Sequence, residues 1–291
     1  MLAVLFAAWS GIQAKTALLI VAHGSPMESW RKPVLDLEPM VKQQLANGKL
    51  KGIDLVKVAL MEYTEPSVAS MVKACEAEGA DSIFALPIFI APSGHTEEDL
   101  PNILGQKYNP YVREELAEEK TEMVKSKLPI VLGPTFYYSY VLEKVMAQRV
   151  KSFSKDAANE AVIFLAHGDE ERIGFWKSLL GNVSKYVKEN CGVTYVDGEL
   201  IEMGHNFGNE LMPLLEKAAQ TKKRIFVQGI YLTSDVKRMA DRHKMQERQA
   251  DLVKARGVEI VYSNEGILPA SSDLVTDWVV EQTAQWLHSA R

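Results

Sequence analysis

The chain of 291 residues contains only two cysteines, Cys75 and Cys191, which stand far apart in the sequence. Two isolated thiols exclude a disulfide framework and a zinc site built from thiolates. A single bridge between Cys75 and Cys191 remains open at this stage. Any metal that the protein handles must therefore be bound by histidine and carboxylate side chains.

Long basic runs are also absent, and the net charge is −5 at pH 7. Nucleic-acid-binding domains usually carry a basic patch, so this composition argues against a nucleic-acid partner. The Walker motif that binds nucleoside triphosphates is missing as well. With 47% hydrophobic residues, the chain is long enough to bury a large core and to form two lobes.

One apolar run stands out at the start, where residues 2–9 (LAVLFAAW) precede residues 11–14 (GIQA) and Lys15. A short apolar segment followed by small residues is typical of a secretory signal, although no Lys or Arg precedes this one. The run is too short to span a bilayer, so we expect no stable membrane span. We predict a signal peptide at residues 1–14 and a periplasmic or exported protein, with a cytoplasmic protein as the alternative.

The rest of the chain is organised as a repeat. Residues 19–26 (LIVAHGSP) form an apolar run that leads into His23, and residues 163–169 (IFLAHGD) resemble it closely. His167 follows His23 by 144 residues, about the length of one ordinary domain. Such a repeat predicts two copies of one α/β unit. The expected N-terminal and C-terminal lobes are residues 15–153 and residues 154–291.

Within each unit, short apolar runs alternate with stretches of helical periodicity. This order with short connections indicates a parallel sheet with right-handed crossovers. The expected fold is α/β, with two similar lobes, each a parallel sheet flanked by helices. Strands are predicted at residues 16–22, 54–62, 82–90, 129–133, 160–166, 194–202, 224–232 and 258–262. Helices are predicted at residues 29–46, 66–78, 137–153, 172–189, 209–219, 234–254 and 272–288.

Two features interrupt this alternation in the first unit. Pro39 lies in the middle of the first predicted helix and should break or kink it. Residues 96–128 contain two prolines, a glycine and a charged segment. We interpret them as an insertion with short helices, which forms either a lid over a site or a solvated surface excursion.

Three candidate ligands follow consecutive strands of the first unit, namely His23, Glu62 and His95. Ligands of open parallel sheets bind at the carboxyl ends of the strands, so these side chains should converge. Two imidazoles and one carboxylate suit divalent iron, cobalt, nickel or zinc. The same groups also accept protons near neutral pH. Each residue alone has a simpler explanation, such as a histidine in a turn or a glutamate that caps a helix.

The second unit repeats only part of this set. It keeps His167 and Glu202, but an ungapped alignment places Val236 opposite His95. His205 has no counterpart in the first unit. We expect the second half to form the facing wall of a cleft, and a second site at His167, Glu202 and His205 is the alternative.

Several segments together point to a family. Residues 21–25 (VAHGS), residues 61–67 (MEYTEPS) and residues 86–101 (LPIFIAPSGHTEEDLP) resemble the CbiX/SirB family of class II tetrapyrrole chelatases. The His-Gly-Ser motif alone is nonspecific, whereas the Pro-Ser-Gly-His block is fairly specific. The resemblance is strong over residues 16–101 and weaker, but in register, over residues 160–242.

This resemblance implies a lyase-class chelatase with an active-site cleft between two chelatase-like lobes. The expected partners are sirohydrochlorin, or a similar tetrapyrrole, and a divalent metal. The metal would be Co²⁺ or Fe²⁺, with Ni²⁺ as a further candidate, and the pathway cobalamin or siroheme biosynthesis. No cofactor is expected beyond this substrate metal. The two motif histidines of the family correspond to His23 and His95. By analogy with the related CbiK chelatases, which use a His-Glu-His set, Glu62 would complete the metal-binding and catalytic site. The tetrapyrrole contacts would include Ser25, Ser93 and Gly94.

Two other functions fit part of the sequence. An exported, non-catalytic carrier of metal or tetrapyrrole would use the same scaffold, since a fold does not determine function. A hydrolase with Ser25 as its nucleophile is disfavoured, because the nucleophile elbow requires a glycine two residues after the serine. The retention of three converging groups in one half favours the enzyme.

Overall fold

The computed structural model describes residues 14–201 and 206–289. The first lobe contains a parallel sheet of four strands, in the spatial order β2-β1-β3-β4. These strands are β1 (Thr16–Ala22), β2 (Leu55–Leu60), β3 (Ser82–Pro87) and β4 (Ile130–Leu132). The helices of this half are α1 (Glu28–Leu35), α2 (Leu37–Ala46), α3 (Val68–Ala77), α4 (Leu100–Ile103), α5 (Pro110–Glu118) and α6 (Val141–Phe153).

The second lobe repeats this plan with a parallel sheet in the order β6-β5-β7-β8. Its strands are β5 (Glu160–Ala166), β6 (Tyr195–Leu200), β7 (Arg224–Gly229) and β8 (Glu259–Tyr262). Its helices are α7 (Ile173–Cys191), α8 (Phe207–Ala218), α9 (Val236–Arg242), α10 (Met245–Arg248), α11 (Ala250–Arg256) and α12 (Ser272–Ser289). The predicted α/β fold of two similar lobes is confirmed.

The central strand of each sheet is apolar along its length because both of its faces are covered. In β1, Leu18 and Ile20 point into a core that extends through both lobes. Leu19 and Val21 point the other way, into a core of the first lobe alone. The alternation of strand side chains therefore divides the apolar residues between a shared inner core and an outer one.

The last helix of each half packs across the boundary between the lobes. Helix α6 packs against α7, and α12 packs against α2. The ring of Phe153 at the end of α6 stacks on Phe226 of β7, with centroids 3.8 Å apart. In the reciprocal contact, Trp286 of α12 stacks on Phe84 of β3 at 4.7 Å. Packing thus crosses the sequence boundary after residue 153.

Two helix predictions were wrong in detail. The first helix is interrupted at Asp36, whereas Pro39 lies in the first turn of α2, where its missing N–H leaves no helical hydrogen bond unmade. The long helix predicted at residues 234–254 is three short helices. Lys244, with a left-handed φ of 51°, separates α9 from α10.

The insertion at residues 96–128 covers the outer face of the first sheet. It contains a short π-helical turn, His95–Asp99, followed by α4 and α5. Leu100, Ile103 and Leu116 are buried in the outer core of the first lobe. The segment is therefore packed structure on the side of the sheet away from the shared core.

Three further expectations concern cysteines, membranes and export. Cys75 and Cys191 are both free, so the bridge left open by the sequence is not formed. Within the described ranges, no helix is both long and apolar enough to cross a membrane. The predicted signal peptide lies outside the described residues except for Ala14.

Candidate active site

A cavity of about 560 Å³ lies between the two lobes. His23, Trp30 and His95 line it from the first lobe, and His167, Asp169 and Trp176 line it from the second. Small-molecule and cofactor sites typically have volumes of about 300–1,000 Å³. The cavity therefore has the size of a ligand site, and it lies beside the predicted ligand residues.

His23, Glu62 and His95 come together at the first-lobe side of this cavity. One potential ligand atom from each lies within 4.8 Å of the others. Nε2 of His23 is 2.9 Å from Oε1 of Glu62 and 3.2 Å from Nε2 of His95. The sheet order explains this convergence, because β1 lies between β2 and β3. The loops after these three strands therefore meet at one edge.

The other ring nitrogen of each histidine already has a partner. Nδ1 of His23 lies 3.0 Å from the carbonyl oxygen of Gly24, and Nδ1 of His95 lies 2.7 Å from Oδ2 of Asp99. Both oxygens act as acceptors, so each Nδ1 carries the proton. Nε2 of His23 then presents its lone pair toward the Glu62 carboxylate, and Nε2 of His95 presents its lone pair toward Nε2 of His23. Lone pairs that converge in this way require a cation between them, either a proton or a metal ion.

Glu62 is the buried member of the three, with 6% of its surface exposed. Among the described residues, no donor is aligned with Oε1 of Glu62, so the short contact with His23 acts as an ion pair. Burial pushes the pKa of Glu62 upward, but the contact with His23 outweighs it and the net pKa is lowered. Burial likewise lowers the pKa of His23, and Glu62 raises it to a net value above 6.5. These shifts favour the ion-paired form, in which His23 is an imidazolium and Glu62 a carboxylate.

Comparison with known proteins gives a family for the half of the chain that carries these residues. Residues 17–152 match the CbiX family. The first lobe is therefore similar to the CbiX family over nearly its full length. The predicted resemblance is thereby confirmed for the lobe that contains His23, Glu62 and His95.

Relatives of the first lobe include proteins named sirohydrochlorin cobaltochelatase. The first lobe is 34% identical over 89 residues to the sirohydrochlorin cobaltochelatase of Methanococcus maripaludis. This match covers 31% of this chain and 58% of that relative. The first lobe is also 23% identical over 133 residues to the sirohydrochlorin cobaltochelatase of Saccharolobus solfataricus. This match covers 46% of this chain and 91% of that relative. The chain thus spans little more than half the length of the methanogen protein.

Solved structures resemble both lobes together. SirB from Bacillus subtilis with Fe³⁺ has a TM-score of 0.65 at 18% identity, over 92% of this chain and 94% of that chain. CbiX, described as the terminal enzyme for biosynthesis of siroheme in denitrifying bacteria, has a TM-score of 0.51 at 16% identity. This match covers 90% of this chain and 96% of that chain. At these identities the likeness establishes the fold, which is the predicted chelatase-like arrangement of two lobes.

The residues predicted to contact the tetrapyrrole occupy different places beside His23, Glu62 and His95. Ser93 and Gly94 line the cavity next to His95. The hydroxyl of Ser25 instead accepts a hydrogen bond from the backbone N–H of Met27 at 3.1 Å. Among the described residues, Ser25 does not belong to the cavity lining. Ser93 and Gly94 thus border the cavity, whereas Ser25 orders the turn before α1.

His167 faces the same cavity from the second lobe. Its Nδ1 lies 2.6 Å from the carbonyl oxygen of Gly168, which repeats the contact made by His23. Glu202 and His205 lie outside the described residues. A second site at His167, Glu202 and His205 therefore stays a prediction.

The counterpart of His95 in the second lobe was misassigned. Ser82 of β3 and Arg224 of β7 occupy equivalent positions beside the central strands. Counting onward from this register places Lys237 opposite His95, one residue beyond Val236. Nζ of Lys237 pairs with Asp241 at 3.0 Å, where the first lobe has His95 and Asp99. The second lobe thus has a cation at this position, and no imidazole.

Sequence analysis missed two residues that contact the three ligands. Asp99 orients His95, and its spacing of four residues along a helical turn was a readable signal. Tyr63 has a left-handed φ of 67°, and its hydrogen bond to the Glu62 carboxylate raises the pKa of its phenol to about 12. A left-handed tyrosine gives no signal in the sequence, because glycine or asparagine is expected in that conformation.

Gly24 allows the loops that carry His23 and Glu62 to touch. It has a φ of 132°, and a Cβ atom there would clash with the backbone carbonyl of Glu62. We expect Gly24→Ala to lower the free energy of unfolding by about 3 kcal/mol and to weaken metal binding. Gly48→Ala is the matched control, since Gly48 has a φ of 78° but open space around a Cβ, and it should cost about 1 kcal/mol. Urea unfolding compares the two, and equal losses would contradict a role for the close approach.

Proposed function

We propose that this protein inserts a divalent metal into a sirohydrochlorin-like tetrapyrrole. The observation that carries this proposal is the convergence of His23, Glu62 and His95 beside a cavity between the lobes. Relatives named sirohydrochlorin cobaltochelatases support the tetrapyrrole as the substrate class. SirB structures with Fe³⁺ and with cobalt support cobalt and iron as metals. Co²⁺ or Fe²⁺ is the proposed substrate metal, with Ni²⁺ as a further candidate, in cobalamin or siroheme biosynthesis.

The three ligands suit a metal that must be released again. Two imidazoles and one carboxylate leave coordination positions open, unlike a closed structural site. The metal would sit at the first-lobe side of the cavity and face a tetrapyrrole bound between the lobes. Trp30 and Trp176 provide aromatic surface on the two sides of the cavity. The macrocycle nitrogens can then replace the protein ligands one at a time.

Metal insertion must also remove two protons from the pyrrole nitrogens, and the same histidines can accept them. When the metal leaves, Nε2 of His23 becomes free beside the Glu62 carboxylate. Because the net pKa of His23 is raised, it accepts one proton readily near neutral pH. Nε2 of His95 accepts the other, and Asp99 stabilises the resulting imidazolium through Nδ1. The divalent ion and two protons thus exchange places, and net charge is conserved.

Anaerobic incubation with sirohydrochlorin and Co²⁺, Fe²⁺ or Ni²⁺ tests the proposal. The absorption spectrum of the tetrapyrrole should change faster than in a control without protein, and product should exceed the amount of protein many times. A carrier on the same fold would bind one equivalent and stop. Stoichiometric binding without turnover would therefore replace the enzyme by the carrier.

We further propose that the protein is exported, on the basis of the apolar run at residues 2–9. The mature protein should then begin at Lys15 or a near neighbour, because the small residues before it resemble a cleavage site. N-terminal sequencing of native material measures this directly. Recovery of intact Met1 from the cytoplasm would overturn the proposed location.

A further inference from the structure

The loop that carries His95 is attached to the opposite lobe. The backbone N–H of Gly94 donates a hydrogen bond to Oδ2 of Asp169 at 3.0 Å. Nε1 of Trp176 donates to the carbonyl oxygen of Pro92 at 3.2 Å, in a buried contact. Both contacts fall within the three residues before His95. The second lobe therefore holds the backbone from which this imidazole projects.

The other two ligands are positioned within the first lobe. The backbone N–H groups of Met61 and Glu62 donate to the carbonyl oxygen of His23 at 2.7 and 3.1 Å. His23 and Glu62 consequently belong to one hydrogen-bonded unit at the end of β1 and β2. The metal site combines this unit with a third ligand whose loop is held from across the cavity.

Asp169 is itself fixed in orientation. Its Oδ1 accepts a hydrogen bond from the backbone N–H of Arg172 at 2.9 Å, and the Arg172 guanidinium lies 3.8 Å from the same oxygen. The second carboxylate oxygen is thereby directed at Gly94. Gly94 immediately precedes the helical turn of His95–Asp99, so an anchor at its N–H sets where that turn begins.

We propose that Asp169 is a positioning residue that makes the place of His95 depend on the second lobe. By holding Gly94, it sets Nε2 of His95 against His23 and Glu62. The inference rests on the proposed function, because it assigns a metal to these three side chains.

The test is a set of Co²⁺ titrations of the full chain, followed by the absorption of protein-bound Co²⁺. Asp169→Ala should weaken binding about tenfold, as is usual for residues that orient a metal ligand. Asp235→Ala is the matched control, since Asp235 accepts the N–H of Arg238 at 2.8 Å without holding a ligand loop. It should leave Co²⁺ affinity unchanged. Asp169→Asn keeps one acceptor oxygen, which can serve either Gly94 or Arg172, so this variant should bind Co²⁺ with an affinity between those of the wild type and Asp169→Ala. It also provides a folded variant if the alanine variant fails to fold.

A double-mutant cycle shows whether Asp169 acts through His95. In a His95→Ala background, Asp169→Ala should cause no further loss of Co²⁺ affinity, because the ligand that it positions is gone. Additive losses would overturn the positioning role, as would an unchanged affinity in Asp169→Ala and Asp169→Asn. If His95→Ala itself leaves Co²⁺ affinity unchanged, the proposed metal site fails, and this outcome is distinct from failure of the inference.

Discussion

His95→Ala should lower the rate of metal insertion by about a hundredfold or more, while His167→Ala should retain most of the activity. His95 supplies one of three converging ligand atoms. His167 lines the same cavity from the second lobe, and that lobe has Lys237 at the position that corresponds to His95. The two substitutions remove the same chemical group from the same cavity, so each serves as the control for the other.

The measurement is the initial rate of Co²⁺ insertion into sirohydrochlorin under anaerobic conditions. Thermal unfolding of both variants shows that the fold is retained. Equal losses of activity would mean that the two lobes share the site. A loss confined to His167→Ala would mean that the site was assigned to the wrong lobe.

Co²⁺ affinity should fall as the pH is lowered, since metal and protons compete for imidazole nitrogen. The loss should begin above pH 6.5, because the net pKa of His23 is raised. Its dependence on proton concentration should approach second order when both imidazoles bind the ion. In His95→Ala the dependence should drop toward first order, which separates competition from acid unfolding. Titrations from about pH 8 to 5 cover the range in which histidine protonates.

Glu62→Gln should shift this pH dependence to lower pH. Burial of His23 would remain, and the carboxylate that raises its pKa would be gone. Co²⁺ titrations of this variant provide the comparison. If the Co²⁺ affinity of folded wild-type protein does not change with pH, neither histidine belongs to the metal site. If Glu62→Gln has the same midpoint pH for loss of Co²⁺ affinity as the wild type, Glu62 does not raise the pKa of His23.

The same pair gives the metal-free protein a stability window. The raised pKa of His23 stabilises the fold below 6.5, and this contribution is lost as the pH rises through the folded-state pKa. The lowered pKa of Glu62 stabilises the fold above 4.5, and this contribution is lost as the pH falls through its folded-state pKa. The pair should therefore contribute most between 4.5 and 6.5, as thermal unfolding with and without Glu62→Gln would show.

The three ligands could be predicted from the sequence because their convergence follows from simple topology. Each lies just beyond a strand of a parallel sheet, and strand order brings such loops together. Asp169 could not be predicted, since its contact with Gly94 joins segments of different lobes that share no pattern. Lys237 could have been assigned from the sequence, since the strands predicted to begin at residues 82 and 224 already give the same register.

The secondary structure could likewise be predicted only in part from the sequence. The buried strands β1 and β5 have the predicted bounds because a continuous apolar run marks both of their ends. The segment at residues 234–254 has a helical composition, and nothing in its pattern marks Lys244 as left-handed. The repeat in the sequence predicted two lobes. It did not indicate that the last helix of each half would pack against the sheet of the other half.

The reciprocal packing of α6 and α12 bears on how the protein is made. Phe84 lies in the first lobe, yet the ring that covers it belongs to Trp286, near the end of the chain. The first half leaves the ribosome before that helix has been synthesised, so part of its sheet stays open until translation is almost finished. A chain cut after residue 153 would give two fragments that each lack a covering helix and would each need the other to complete its core.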